Sequence, residues 1–340
     1  MTTVIAVIVV FGVLVAVHEL GHFLVAKSFG MRVNEYSLGF GPSLFKRKWG
    51  ETDYAVRIVP LGGYVRLAGM EGEKTDDPRE FPNRPLWQRF LVVLAGPIMN
   101  LVLAAVLYAV SFGPVGIPTA TTTVQQALPH YPAYEAGIRP GDKIVKIDHT
   151  RITNWQGLAT AIISHEKQRI QVSVVRNGHF HTMTMRTRYD KTLKRYVVGI
   201  KPTTVTIHVN PLQAVKDGAI QTVQLTGSWF TALFRLLEGR GPFDLTGPVG
   251  IAELVSSAAQ AGLVNLLLLS AALSANLGLF NILPIPVLDG SRLMFLIIEG
   301  VRRRAMDPDR ENMIHFVGFV ILMALVLVVT FHDVAHLFHA

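Results

Sequence analysis

Val17-His18-Glu19-Leu20-Gly21-His22-Phe23 lies inside an apolar run covering residues 4–26. The run is long enough to cross a bilayer as a helix. Ionisable groups at that depth are expensive and mark function by default. On a helix, positions i and i+4 share a face, so His18 and His22 can present two imidazoles to one metal ion. Glu19, one residue along, can reach a water held there. A chance match is the bland reading, but a spanning helix must justify three polar residues at once.

Composition agrees with a membrane setting. The 340-residue chain is half hydrophobic and only 16% charged, too apolar for one soluble domain. Residues 91–112 and 314–331 read as further spans. A fourth stretch, 263–287, is broken by Pro284 and Pro286. The first run has no basic n-region and no cleavage-site pattern, so it reads as a retained span. Net charge is +8. Basic residues crowd Lys46-Arg47-Lys48 and Arg302-Arg303-Arg304, in the first-to-second and third-to-fourth connections. The positive-inside rule puts both connections in the cytosol and the central segment outside. No aromatic residues interleave with the basic ones as nucleic-acid binding would need. Without cysteine, the chain has no disulfide framework and no thiolate chemistry.

Along the chain, residues 37–42 read as a turn, and 53–59 and 61–67 as strands. Ala136-Gly137-Ile138-Arg139-Pro140-Gly141-Asp142-Lys143-Ile144 resembles the helix–turn–strand element of bacterial PDZ domains. Residues 143–147 then read as a strand, 154–164 as a helix, and 170–176 and 181–186 as strands around an Asn177-Gly178 turn. Residues 211–237 read as an amphipathic helix, either on the outer membrane surface or packed on the PDZ domain. His332 and His336, with His339 nearby, could form a peripheral metal site; a solvated helix end explains them as well.

Two histidines do not complete a catalytic zinc site, which takes three protein ligands and an open position. Asp289 follows Pro284-Ile285-Pro286, where two prolines force extended backbone. Such a break at membrane depth is tolerated where it lines a cavity or is buried in protein. His18 lies roughly 20 Å from the outer end of its span, at about 1.5 Å per residue, so it and Asp289 both fall in the cytosolic half. His-Glu-x-x-His is a zinc-metalloprotease pattern. In that reading His18, His22 and Asp289 hold the metal and Glu19 moves the proton. Asn276 and Asn281 are the best-placed polar groups on the third span for an anionic carbonyl oxygen. Asn100 either serves the metal-site region or packs between helices. An edge strand within residues 54–67, Tyr64 and Val65 among them, could hold an unwound substrate.

The His-Glu-Leu-Gly-His of the first span, the Asn281-to-Gly290 stretch and the PDZ-like segment between them resemble the site-2 protease family. The bacterial branch that cleaves anti-sigma factors and remnant signal peptides is the nearest match. Gly96 and Asn100 match the family's Gly-x-x-x-Asn element. The resemblance implies an α-helical integral membrane protein of about four spans, with a membrane-associated β-hairpin or sheet and an inserted extracytoplasmic α+β PDZ domain. Residues 1–112 would carry two spans and the hairpin, 113–205 the PDZ domain, 206–262 a helical linker, and 263–340 the last two spans. It implies Zn2+ as cofactor and a bacterial cytoplasmic membrane location. The substrate would be a pre-trimmed single-span protein, contacted through the asparagines and the Gly39/Gly41 region; lipid is the other partner, and nucleic acid is not one. Some relatives carry two PDZ domains where this chain shows one. Two other classes compete. A PDZ adaptor with a non-catalytic metal site would not need Glu19, and a broken-helix transporter would be supported by inverted repeats, of which none is evident.

Overall fold

The computed structural model describes residues 2–70, 76–165, 168–190, 195–239, 247–304 and 306–339. Two compact units divide the chain, Met1–Val115 with Val209–Ala340, and Gly116–His208.

The first unit begins with α1 (Thr2–Ser28), apolar around its circumference apart from His18, Glu19 and His22. It ends where Gly30 takes φ +67°, a left-handed cap that brings the Met31 N–H to the Ala26 carbonyl. β1 (Val33–Trp49) and β2 (Thr52–Leu67) then pair as a long antiparallel hairpin. The turn expected at residues 37–42 is instead a bend inside β1. Gly39 at φ +90° and Gly41 at φ +84° supply it, and the register slips there without reversing the chain. The two strands expected at 53–59 and 61–67 are likewise one continuous strand. Because of the bend, Tyr36 pairs with Val65 on one side and Tyr54 on the other. Residues 63–67 pair on one side only among the described residues, so they form an edge.

A buried charge fixes that edge. Glu35, 2% exposed, accepts hydrogen bonds from Arg57 Nη2 (2.5 Å), Tyr64 Oη (2.8 Å) and Arg66 Nη2 (2.8 Å). Its three donors all lie on β2, so one carboxylate ties the middle and the C-terminal end of that strand to β1.

α2 (Leu86–Val110) continues through Pro97 into a wider turn at Ser111–Val115. It lies very close to α1, since a Cβ at Gly21 would fall 2.4 Å from the Ala95 carbonyl oxygen. Small residues allow such backbone contact between spans.

The second unit runs β3 (Ile117–Ala127), α3 (Pro132–Glu135), β4 (Lys143–Ile147), β5 (Thr150–Arg151), α4 (Trp155–Ile163), β6 (Arg169–Arg176), β7 (His179–Arg186), β8 (Arg188–Asp190), β9 (Arg195–Val197) and β10 (Ile200–Ile207). The main sheet has the order β10-β3-β4-β6-β7, with β5 paired to β4. Val124, Ile144, Leu158, Ile170, Val172 and Val174 form its core. Asn154 caps α4 through the Gly157 N–H. Asn177 (φ 49°) and Gly178 (φ 81°) make the two-residue β6–β7 turn, which needs two left-handed residues. Asp142 is fully buried and accepts from the Arg139 N–H (2.8 Å) and from Arg176 Nε and Nη2 (both 2.7 Å). The Pro-Gly-Asp turn is thereby locked to β6.

The first unit resumes with α5 (Pro211–Leu237), α6 (Pro248–Gln260), α7 (Leu263–Ile282), α8 (Asp289–Arg302) and α9 (Pro308–His339). Among the described residues, four helices are long and apolar enough to cross a membrane: Val4–Ser28, Leu86–Val115, Leu263–Ile282 and Asp309–Phe331. The third is shorter than the stretch expected to residue 287. Leu283 precedes proline and turns extended, with ψ 144°, which ends α7. On α9, Asp333 accepts from the backbone N–H of Gly247 and Gly250 and so caps α6. The side chains of His332, His336 and His339, weighed above as a metal site, lie outside the described residues.

Candidate metal centre

α1 carries the first two donors. His18 Nε2 and His22 Nε2 lie 3.3 Å apart, one helical turn along the same face. Asp289 is the first residue of α8, where the helix N-terminus favours a carboxylate. Its Oδ2 lies 3.0 Å from His18 Nε2 and 3.4 Å from His22 Nε2. The loop between α7 and α8 makes this approach possible through Gly290, where a Cβ would fall 1.9 Å from the Leu283 carbonyl oxygen. The prolines turn the chain, and the glycine lets it close.

The donor set suits a metal ion. His22 Nδ1 donates to the Val92 carbonyl at 2.8 Å, so its Nε2 brings a lone pair to the cluster. His18 Nδ1 lies 3.0 Å from the Asn100 side-chain amide. Asn100 Oδ1 is buried with no hydrogen-bond partner among the described residues. Turning that amide end for end satisfies Oδ1 with the Nδ1–H and frees His18 Nε2 as well. Asp289 Oδ2 is also buried and has no hydrogen-bond partner among the described residues. Three acceptors facing one another at this spacing suit a cation between them. Tetrahedral ligands ~2.1 Å from zinc stand about 3.4 Å apart, close to the separations here. Among the described residues this is the one group of three such side chains able to share an ion.

The cluster opens on a cavity of ≈330 Å³. Glu19, Tyr64 and Val65 line it beside His18, His22 and Asp289. Glu19 sits against β2: its Cγ lies 3.2 Å from where a Cβ on Gly63 would stand, and Val65 lines the same cavity. The edge of the sheet therefore runs directly past the glutamate. The other sequence candidates stand elsewhere. Asn100 is fully buried behind His18, and its carbonyl accepts from Ser274 Oγ at 2.7 Å. Asn276, Asn281, Gly39 and Gly41 are not among the residues lining the cavity.

Sequence reasoning passed over Val92, Val93, Met70, Val287 and Arg292, which with Arg66 and Leu67 of the proposed edge strand complete the lining. It also left Gly96 without a physical role. A Cβ there would fall 2.3 Å from His22 Nε2 and 2.9 Å from His18 Cε1. Gly96 and Asn100, one helical turn apart on α2, make room for the imidazoles and contact one of them. That i, i+4 spacing was the available signal.

Two histidines, a carboxylate and a free glutamate around one open cavity define a site for metal-assisted hydrolysis. The model of Peptidase family M50 matches residues 6–325, and the chain belongs to that family. It is a metalloprotease of the site-2 type. A relative from Clostridium acetobutylicum is 36% identical over 97% of this chain and 96% of its own length. Zinc metalloprotease RasP of Geobacillus kaustophilus is 32% identical over 99% of this chain and 98% of its own. Regulator of sigma-W protease RasP of Bacillus subtilis is 31% identical over 99% of both.

Proposed function

We propose that this chain is an intramembrane zinc metalloprotease of a bacterial cytoplasmic membrane. It cuts a pre-trimmed single-span protein, such as an anti-sigma factor or a remnant signal peptide, within or near its spanning segment. The observation that carries the reading is the convergence of His18, His22 and Asp289 beside Glu19, on helices apolar enough to span a bilayer. The sigma-W regulator among the relatives supports the anti-sigma class of substrate.

His18, His22 and Asp289 hold the zinc, and Gly96 and Asn100 set the imidazoles. When bound, the ion activates water and polarises the scissile carbonyl. Glu19 takes the proton from the attacking water and delivers it to the leaving amine nitrogen. A helical substrate hides its peptide bonds in internal hydrogen bonds, so it must unwind locally. Residues 63–67 take the unwound segment as an added strand. Tyr64 and Val65 then lie against the substrate backbone; Asn276 and Asn281 of α7, outside the cavity lining, would reach its carbonyls only if the substrate extends beyond that cavity.

The basic clusters at Lys46-Arg47-Lys48 and Arg302-Arg303-Arg304 support a cytosolic hairpin and an outer Gly116–His208 unit. That unit acts as a PDZ domain. Its α4 and β10 flank a cavity of ≈160 Å³ that includes Trp155, Ile162, Val198 and Ile200, and β10 is an edge strand of the sheet.

Purified protein in bilayers, given a trimmed single-span substrate, tests this reading by mass spectrometry of the products. A cut inside the apolar segment that stops on chelation and resumes with zinc supports it. A cut confined to the soluble flank, or one that persists under chelation, overturns it.

A further inference from the structure

The loop that brings Asp289 to the histidines contains an unusual backbone. Val287 has φ +80°. A β-branched residue in that region is a genuine outlier, and such strain persists only where its surroundings over-determine it. It lies two residues before Asp289 and lines the cavity.

Two contacts from α9 hold it. The Val287 N–H donates to His315 Nδ1 at 3.1 Å. One turn further along α9, Gly318 packs so closely that a Cβ there would fall 2.0 Å from Pro286 Cβ. The histidine is itself oriented. Its ring meets Phe295 of α8 edge to face, with centroids 5.6 Å apart at 89°. Nδ1 accepts the Val287 N–H, so the ring proton sits on Nε2, which faces Glu311 Oε1 at 3.8 Å, beyond hydrogen-bond distance.

We propose that His315 is a positioning residue for the metal centre: by accepting the Val287 N–H, it holds the strained loop in the conformation that presents Asp289 to the ion. The fourth span thereby takes part in metal binding without offering a ligand. This rests on the reading of Asp289 as a ligand. Groups that hydrogen-bond a ligand directly typically change metal affinity about 10- to 100-fold; His315 acts on Asp289 through two residues of backbone, which places its effect at the lower end of that range.

The geometry makes a specific rescue possible. Glycine adopts φ +80° without strain, so Val287→Gly removes the need for the clamp. The test is zinc affinity of the full-length protein in detergent, by chelator competition, with hydrogen exchange at residues 285–288. His315→Leu is expected to weaken zinc binding at least tenfold and to speed exchange at Val287. His315→Asn, which keeps an acceptor near the Nδ1 position, should recover most of the affinity. Val287→Gly in the His315→Leu background should recover it too.

Wild-type affinity in His315→Leu overturns the proposal. So does a loss that neither His315→Asn nor Val287→Gly repairs, since mere damage to packing would behave that way. Asp289→Asn separates the two levels: zinc bound there as in wild type contradicts the ligand reading itself.

Discussion

The Val92 carbonyl oxygen accepts the His22 Nδ1–H at 2.8 Å, so the second span fixes which imidazole nitrogen meets the ion. A proline lies five residues later in the same helix. Pro97 has no N–H to give the Val93 carbonyl, and just before it the Ala95 carbonyl lies 2.4 Å from where a Cβ on Gly21 of α1 would stand. Backbone carbonyl, glycine and asparagine on one helix thus shape the histidine pair on another.

Gly96→Ala should therefore act like removal of a ligand. The new methyl would fall 2.3 Å from His22 Nε2 and 2.9 Å from His18 Cε1, so both imidazoles would have to leave the positions in which they face Asp289. Zinc content after chelator challenge should fall at least tenfold. Gly12→Ala is the control: nothing lies within 4 Å of its added Cβ, and its zinc content should match wild type.

Val65→Pro removes a main-chain N–H from the strand that lines the cavity beside Glu19 and disrupts pairing along that edge. Cleavage of a single-span substrate should slow at least tenfold while zinc stays bound. An unchanged rate would remove the edge strand from the account.

Glu35→Ala leaves two guanidinium groups facing a gap in the sheet. Arg57 and Arg66 both reach solvent, so the cost lies below that of breaking a fully buried ion pair and comes mainly from the lost cross-strand hydrogen bonds. Hydrogen exchange should accelerate through residues 53–67, and cleavage should weaken with it.

Asp142 gives the second unit a predictable acid response. Burial pushes its carboxyl up, but Arg176 and the Arg139 N–H outweigh burial and hold it below the ordinary range. A folded value below the unfolded one means the stabilisation is fully present above about pH 4. It is lost as pH falls through the folded value. Exchange protection in β4 and β6 should drop below about pH 4, and Asp142→Asn should flatten that drop.

How far the residues alone led depends on where the information is local. The helix over His18 and His22 follows from an unbroken apolar run, and their spacing places both Nε2 atoms on one face. Pro284 and Pro286 mark a break, and the structure moves the end of the span back to Ile282, because the residue before a proline already avoids helix. The bend in β1 was hidden, since Gly39 and Gly41 read equally well as a turn or a bulge; the pairing partner decides, and it lies far along the chain. The Glu35 network and the His315–Val287 contact join residues 22–31 and 28 positions apart. No periodicity encodes such contacts. Val287 carries no sequence signal for a positive φ, because valine is a residue that avoids it.

The central claim is that Glu19 performs proton transfer at a metal centre it does not help to ligate. The direct measurement compares wild type and Glu19→Gln in one preparation, for zinc content and for cleavage within the spanning segment of a trimmed substrate. The account predicts equal zinc in both and product from wild type alone. Cleavage by Glu19→Gln at the wild-type rate, with zinc bound, would contradict it.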